Sequence, residues 1–191
     1  MGEGVPGCGV VVRGAAVIVE YILSAWLAAD LVTGAVHWWE DRYGDPAWPV
    51  IGRHVVAPNI LHHRDPRAFL AGGLIDRNWT AAAPALAVAA ACAALGWRWL
   101  ALVGVFSACA NEVHAWSHQR CSRPIRGLQL LGVLASAEDH ARHHRSPFGS
   151  DFCVLTGWLN PVLEAVGFWR MAEAAIGWTI GVWPRDERAA A

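Results

Sequence analysis

Lysine is absent from this 191-residue chain: all fifteen basic side chains are arginine. Charge of either sign is scarce, at 16% of residues, where a soluble globular domain carries about 25%. A formal net charge of −1 leaves no electrostatic footprint for nucleic acid. Cysteines at metal-clip spacing are also missing. The five present (Cys8, Cys92, Cys109, Cys121, Cys153) are odd in number and form no CxxC, and two of them sit in apolar runs. Neither a disulfide framework nor a cysteine zinc site is expected from them. No P-loop and no Ser-His-Asp arrangement is evident. Gly2 to Gly7 has GxGxxG spacing, but no strand precedes it and Pro6 interrupts it, which removes the dinucleotide reading. Residues 1–14 are expected to form a flexible tail. The apolar stretch after Arg13 is too long for a secretory signal and lacks a small-residue cleavage site.

What the chain does have is oil, tryptophan and histidine. Apolar residues make up 55% of it. The run from Ala15 to about Trp38 is roughly 20–25 residues, enough to cross a hydrocarbon core of about 30 Å as a helix. Thr80 to Gly96 and Trp99 to about His118 are a second and third candidate, and the Gly96-Trp97-Arg98 link makes them antiparallel. Ile125 to Ala137 is short for a span and reads as interfacial, and Phe152 to Trp183 reads as an amphipathic surface helix. Of the twelve tryptophans, Trp38, Trp39, Trp79, Trp97, Trp99 and Trp116 fall at the ends of the three spans, as an aromatic belt would. The expected fold is therefore an all-α integral membrane protein with about three to four transmembrane helices. Its expected domain covers residues 15–183, followed by a flexible tail over 184–191. Arginine placement orients it. Arg42, Arg53, Arg64, Arg67 and Arg77 lie between the first two spans, and Arg120, Arg123, Arg126, Arg142 and Arg145 follow the third. Those two regions are the cytosolic side.

Eight of the nine histidines map to that side: His37 at the end of span one, His62 and His63 in the connection, His114 and His118 at the end of span three, and His140, His143 and His144 beyond it. They form a cytosolic histidine-rich helical cap. His114 and His118 share one helix face, as do His140 and His144. The adjacent pairs His62-His63 and His143-His144 diverge by about 100° on a helix, so one ion rarely uses both members. Two neighbouring ions could each take one, and the pattern asks for a dinuclear site. Imidazole suits iron, zinc, copper or nickel, so ligand type alone does not select the metal. HAWSH at 114–118 has Ala115 where a zinc protease needs glutamate. His54 joins no motif and is expected to be an ordinary loop histidine. Asp30, seven before His37, and Asn111, three before His114, are polar residues inside spans, where such groups are costly and usually functional. They suit an orienting role behind metal-bound histidines.

Asp30-xxx-Gly34-xx-His37-Trp38 with Asp41, His62-His63-Arg64-Asp65-Pro66, Asn111-xx-His114-x-Trp116-Ser117-His118 and His140-xx-His143-His144-x-Ser146-Pro147 together resemble the plasmanylethanolamine desaturases. This is the Kua-type lipid desaturase domain, which also includes a plant plastid phosphatidylglycerol desaturase. Phe152-Cys153-xx-Thr156-Gly157-Trp158-Leu159-Asn160 and Gly167-Phe168-Trp169 match the same family, and the resemblance runs from about residue 26 to 173. It implies a membrane di-iron desaturase that uses O2 to remove two hydrogens from adjacent carbons of a lipid chain. In the namesake enzymes this gives the vinyl ether of a plasmalogen. By that implication His37, His62, His63, His114, His118, His140, His143 and His144 bind two iron ions. Asp30, Asp41, Asn78 and Asn111 would be auxiliary ligands or lie just behind the ligands. Partners would be a membrane phospholipid and an electron donor of the cytochrome b5 or ferredoxin kind, since no flavin or nicotinamide motif is present. The membrane would be the inner membrane of a bacterium, or the endoplasmic reticulum or plastid otherwise. Arg142 and Arg145 are candidates to neighbour a lipid phosphate. Gly149-Ser150-Asp151 departs from the acidic-then-aromatic pair the family often has before Phe152. An extra histidine that some members carry ahead of HxxHH is lacking too. The alternatives are an acyl-chain desaturase or a lipid hydroxylase with the same metal site, a bis-histidine haem electron carrier, and a structural protein whose histidines touch lipid phosphates.

Overall fold

The computed structural model describes residues 8–145 and 148–185, with side chains from residue 13 onward. The glycine pattern at 2–7, Ser146 and Pro147 of the third histidine motif, and the tail from 186 lie outside the described residues. Among the described residues there is no strand. Helix α1 (Cys8–Arg42) is the longest element and begins within the stretch expected as tail. Among the described residues its part Arg13–Arg42 is the one helix long and apolar enough to cross a membrane by length and composition, and only 17% of its most apolar window is buried. Val17, Ile18, Ile22 and Leu23 face outward along it. The helix stops at Gly44, whose N–H closes on the Trp39 carbonyl, just before Asp45-Pro46. Proline has no N–H to continue a ladder. Arg185 completes the stop, because its guanidinium donates to the carbonyls of Glu40 and Asp41 (3.1 and 2.7 Å) and its backbone N–H to that of Arg42. The orphan carbonyls of a helix end are thereby satisfied.

A π-helical turn (Gly52–Val56) leads directly into α2 (Ala57–Arg64), which ends ahead of Asp65-Pro66. Helix α3 (Leu74–Ala94) opens with the Asp76 carboxylate reaching back to the Gly73 N–H. The turn to α4 (Arg98–Ser107) runs through Gly96 at φ +78°, a backbone conformation only glycine adopts cheaply. The third apolar run is not one helix. At Ala108-Cys109 the ladder tightens, with Cys109 N–H bonding Phe106 O, and α5 (Ala110–Ser117) sets off separately. Helix α4 packs against both α1 and α3, and α5 rests on α3.

After α6 (Arg123–Leu130) and α7 (Ala137–His143) comes the largest departure from sequence expectation. Residues 151–157, of which Phe152 onward reads as part of a surface helix, form a non-helical strap in which Phe152 and Leu155 are fully buried. Asp30 takes the Leu155 N–H at 2.8 Å and the Thr156 hydroxyl at 2.6 Å. Leu155 O accepts from Ala135 N–H, and the Asn160 side chain bonds both the N–H and the carbonyl of Cys153. Those partners replace a helical ladder, which is why the segment need not be helical. Only α8 (Leu159–Ala165) and α9 (Phe168–Ile180) of this region are helical.

The strap lies on α1 at Gly34, where an added Cβ would stand 2.7 Å from Cys153 Sγ and 3.1 Å from its Cα. Gly34→Ala is expected to push the strap off the helix and cost about 1–3 kcal/mol, the usual toll of overpacking. A lowered melting temperature of the purified protein in detergent checks this.

The tryptophans divide in two. Trp39, Trp79 and Trp97 are exposed, as a belt requires. Trp38 is buried against Trp169, while the indoles of Trp99 and Trp116 donate to Ser24 Oγ and Glu112. A tryptophan near a span end therefore serves packing as readily as a lipid interface.

Candidate metal centre

Asp30, Gly34, His37 and Asp41 recur every three to four residues, so α1 presents them as one stripe. The stripe's last two members meet α2 and α7, and all eight histidines converge there. Five of them, His62, His114, His118, His140 and His144, form one group of potential donors. His37, His63 and His143 with Asp41 form a second. Within each group the donor atoms lie within 4.8 Å of one another. The adjacent pairs split as their helical divergence predicts, with His62 and His144 in the first group and His63 and His143 in the second. The groups adjoin, the His37 and His114 rings lying 5.5 Å apart between centroids.

In the first group His114 Nε2 faces His140 Nε2 at 2.7 Å, and His144 Nε2 faces those of His140 and His62 at 2.9 and 3.0 Å. Nitrogens sharing one ion at about 2.1 Å each sit roughly 3–3.5 Å apart. His118 Nε2 is buried without a hydrogen-bond partner. In the second group Asp41 Oδ1 is 3.2 Å from His63 Nε2, and Oδ2 is 3.2 Å from His143 Nε2 and 3.5 Å from His37 Nε2. His37 Nε2 has no hydrogen-bond partner there either. Buried polar atoms left unpaired are costly, and a cation among these converging lone pairs satisfies them. The donor set therefore fits a pair of metal ions.

Two further features prepare the donors. His143 Nδ1 lies 2.8 Å from Ser150 O and His37 Nδ1 lies 3.0 Å from Phe152 O, both carbonyls of the strap region. A carbonyl can only accept, so each Nδ1 carries the proton and each Nε2 offers a lone pair to the centre. Burial, added to by neighbouring imidazoles, holds His62 and His140 far below the usual histidine range and His144 at about 3. These rings are neutral at pH 7, the form that binds metal.

The structure does not bring every expected residue into the groups. Asp30 acts at a distance through the strap. Asn78 and Asn111 belong to a clasp between α3 and α5: Asn78 Nδ2 and the Arg77 guanidinium donate to Glu112 Oε2, and Asn111 Nδ2 donates to the Arg77 carbonyl. Asn111 is three residues from His114, but its side chain reaches α3, because α5 packs that face on α3. Arg142 is not free for phosphate, being held by Asp139 at 3.1 Å and Asp151 at 3.0 Å. His54 packs edge-on to Trp79, apart from both groups. Sequence reasoning missed Asn59, whose amide donates to Asp41 Oδ1. Its spacing of four from His63 was the available signal. For Glu112 the signal was an acidic residue inside an apolar run. The strap carbonyls have none, since every residue owns one.

The molecule is thus an all-helical chain, among its described residues, with one membrane-length helix and a buried candidate dinuclear metal centre at that helix's C-terminal end. A family model described as the lipid desaturase domain matches residues 26–187, and the chain belongs to that family. It is 31% identical over 180 residues to a plasmanylethanolamine desaturase of Myxococcus xanthus, covering 89% of this chain and 64% of that protein. It is 31% identical over 182 residues to plasmanylethanolamine desaturase 1 of Mus musculus, covering 87% and 67%. To fatty acid desaturase 4, chloroplastic, of Arabidopsis thaliana it is 29% identical over 172 residues, covering 85% and 53%. The chain therefore spans about half to two thirds of the length of these relatives. No solved structure matches it.

Proposed function

We propose that the chain is a membrane lipid desaturase converting the 1-O-alkyl chain of an ether phospholipid to a vinyl ether, plasmanylethanolamine to plasmenylethanolamine. The observation that carries this reading is the division of the two adjacent histidine pairs between adjoining groups, in a chain of this family. Removing two hydrogens from adjacent carbons while reducing O2 to two waters consumes two further electrons and two protons. An external donor of the cytochrome b5 or ferredoxin kind brings those electrons. Two iron ions, one in each group, would supply the oxidising power; imidazole with one carboxylate suits iron.

The chain's own residues hold and shield. His62, His114, His118, His140 and His144 bind one ion, and His37, His63, His143 and Asp41 the other. Phe152 closes the second group from water, its ring 5.2 Å from His143 and 6.0 Å from His37. Asp30 keeps the strap seated, and Asn78 and Asn111 keep α5 on α3. In the bilayer α1 spans, accompanied by α3 and by α4 with α5, and the centre lies on the cytosolic side. The host membrane is the inner membrane of a bacterium, or the endoplasmic reticulum or plastid of a eukaryote. A haem between facing histidines fits poorly, because the imidazoles pack against one another with centroids as close as 4.2 Å.

Lipid mass spectrometry on cells expressing the chain and fed an alkylglycerol tests the reading, with His144→Ala as control. Acid-labile vinyl ethers, two hydrogens lighter than their precursors and absent from the control, are expected. A new double bond in an acyl chain moves the substrate to ester lipids, in line with the Arabidopsis relative's name. Gain of one oxygen makes the chain a hydroxylase. No altered lipid, with a working donor present, overturns the reading.

A further inference from the structure

The two donor groups are chemically unequal. One offers five imidazoles and no carboxylate, the other three imidazoles and the Asp41 carboxylate. An ion in the second group meets a formal negative charge that the first lacks, so whatever aims that carboxylate decides how unequal the sites are. Asp41 is 2% exposed and its two oxygens have different surroundings. Oδ2 faces only ring nitrogens of the group, those of His143 and His37. Oδ1 faces His63 Nε2 and accepts from Asn59 Nδ2. Asn59 and His63 are four apart on α2, so one face of that helix delivers a donor nitrogen and a carboxylate-holding amide to the same oxygen.

Resting on the two-ion reading above, we propose that Asn59 is a positioning residue for the Asp41 site: its amide holds Oδ1 and thereby turns Oδ2 toward the ion. Aspartate χ2 is a broad torsion with no sharp minimum of its own. Without a fixed donor the carboxylate is free to swing, and its affinity for the ion falls. The hydrogen bond of the Asn59 amide goes to Asp41 and to no histidine of the five-imidazole site, which is expected to keep its ion. Partners of this kind usually contribute 10–100-fold in metal affinity.

Release of Co2+ to a chelator from the purified full-length chain in detergent, followed by cobalt absorption and by metal content, tests the proposal. The wild-type chain is expected to hold two ions and release them in two phases. His118→Ala and Asp41→Ala assign those phases, each abolishing one. Asn59→Ala is expected to speed the Asp41 phase 10–100-fold and leave the other within about twofold. Asn59→Leu keeps the side chain's bulk but removes the donor, and is expected to behave like Asn59→Ala. Wild-type release from Asn59→Leu makes the residue a spacer and overturns the proposal. Equal acceleration of both phases marks a loosened fold and overturns it as well. Unchanged release from Asn59→Ala overturns it while leaving the two-ion reading intact. No cobalt uptake by the wild-type chain overturns the metal reading itself, and this proposal with it.

Discussion

His144→Ala and His143→Ala are each expected to reduce lipid desaturation to background while costing the protein different ions. The two residues are adjacent at the end of α7, but their rings leave the helix in divergent directions and enter different groups. His144 Nε2 lies 2.9 Å from His140 Nε2 and 3.0 Å from His62 Nε2, so its loss opens the five-imidazole group. His143 Nε2 lies 3.2 Å from Asp41 Oδ2, and its loss leaves the second group with three donors. Iron content measured beside activity should fall from two ions toward one in both variants. The remaining ion in His143→Ala should have an all-imidazole environment, and the one in His144→Ala a carboxylate-bearing one. X-ray absorption at the metal edge distinguishes them. Identical residual environments would mean that the two groups are not independent sites. The histidines also differ in their support. His143 is held through Nδ1 by the Ser150 carbonyl, whereas His144 Nδ1 has no hydrogen-bond partner. A glutamine at 144, able to offer one carbonyl oxygen, is therefore expected to recover more metal than a glutamine at 143, which leaves the Ser150 carbonyl without its ring N–H.

Asp30→Ala is expected to cost about 2–6 kcal/mol and most of the activity, although Asp30 belongs to neither group. The carboxylate satisfies two buried donors, the Leu155 N–H and the Thr156 hydroxyl, and each unsatisfied donor costs about 1–3 kcal/mol. The strap it seats carries the Phe152 carbonyl on His37 and follows the Ser150 carbonyl on His143. Loosening it frees the ring orientation of both imidazoles, so metal loss should be confined largely to the Asp41 site. Asp30→Asn should be much milder. Its carbonyl oxygen still accepts from Leu155 N–H, and the Thr156 hydroxyl can rotate to accept from the amide. Thermal unfolding in detergent and metal content, compared across the two variants, check both halves. Equal damage from Asn and Ala would show that the negative charge, rather than the hydrogen bonding, is what matters at this position.

The sequence by itself determined the helical class and the main apolar helix, because both follow from composition and run length that any neighbour-free helix would express. It also picked out the eight histidines that converge in the structure and the divergence of adjacent pairs into different groups, since a helix separates consecutive side chains by about 100° wherever it lies. Tertiary structure decided what local periodicity does not encode. The break at Ala108-Cys109 arises where α5 is claimed by α3 through the Arg77–Glu112 pair, and no proline or glycine announces it. Residues 152–157 read as the start of an amphipathic helix, yet Asp30 and Asn160 satisfy backbone groups of the strap from outside, and the segment is non-helical. Membership in a group was decided the same way. Asp41 joins the histidines and Asn111 does not, although both stand within four residues of one, because their helix faces meet α2 and α3 respectively. A residue's type and spacing state which donor it offers; which partner it meets depends on the packing of helices distant in the chain.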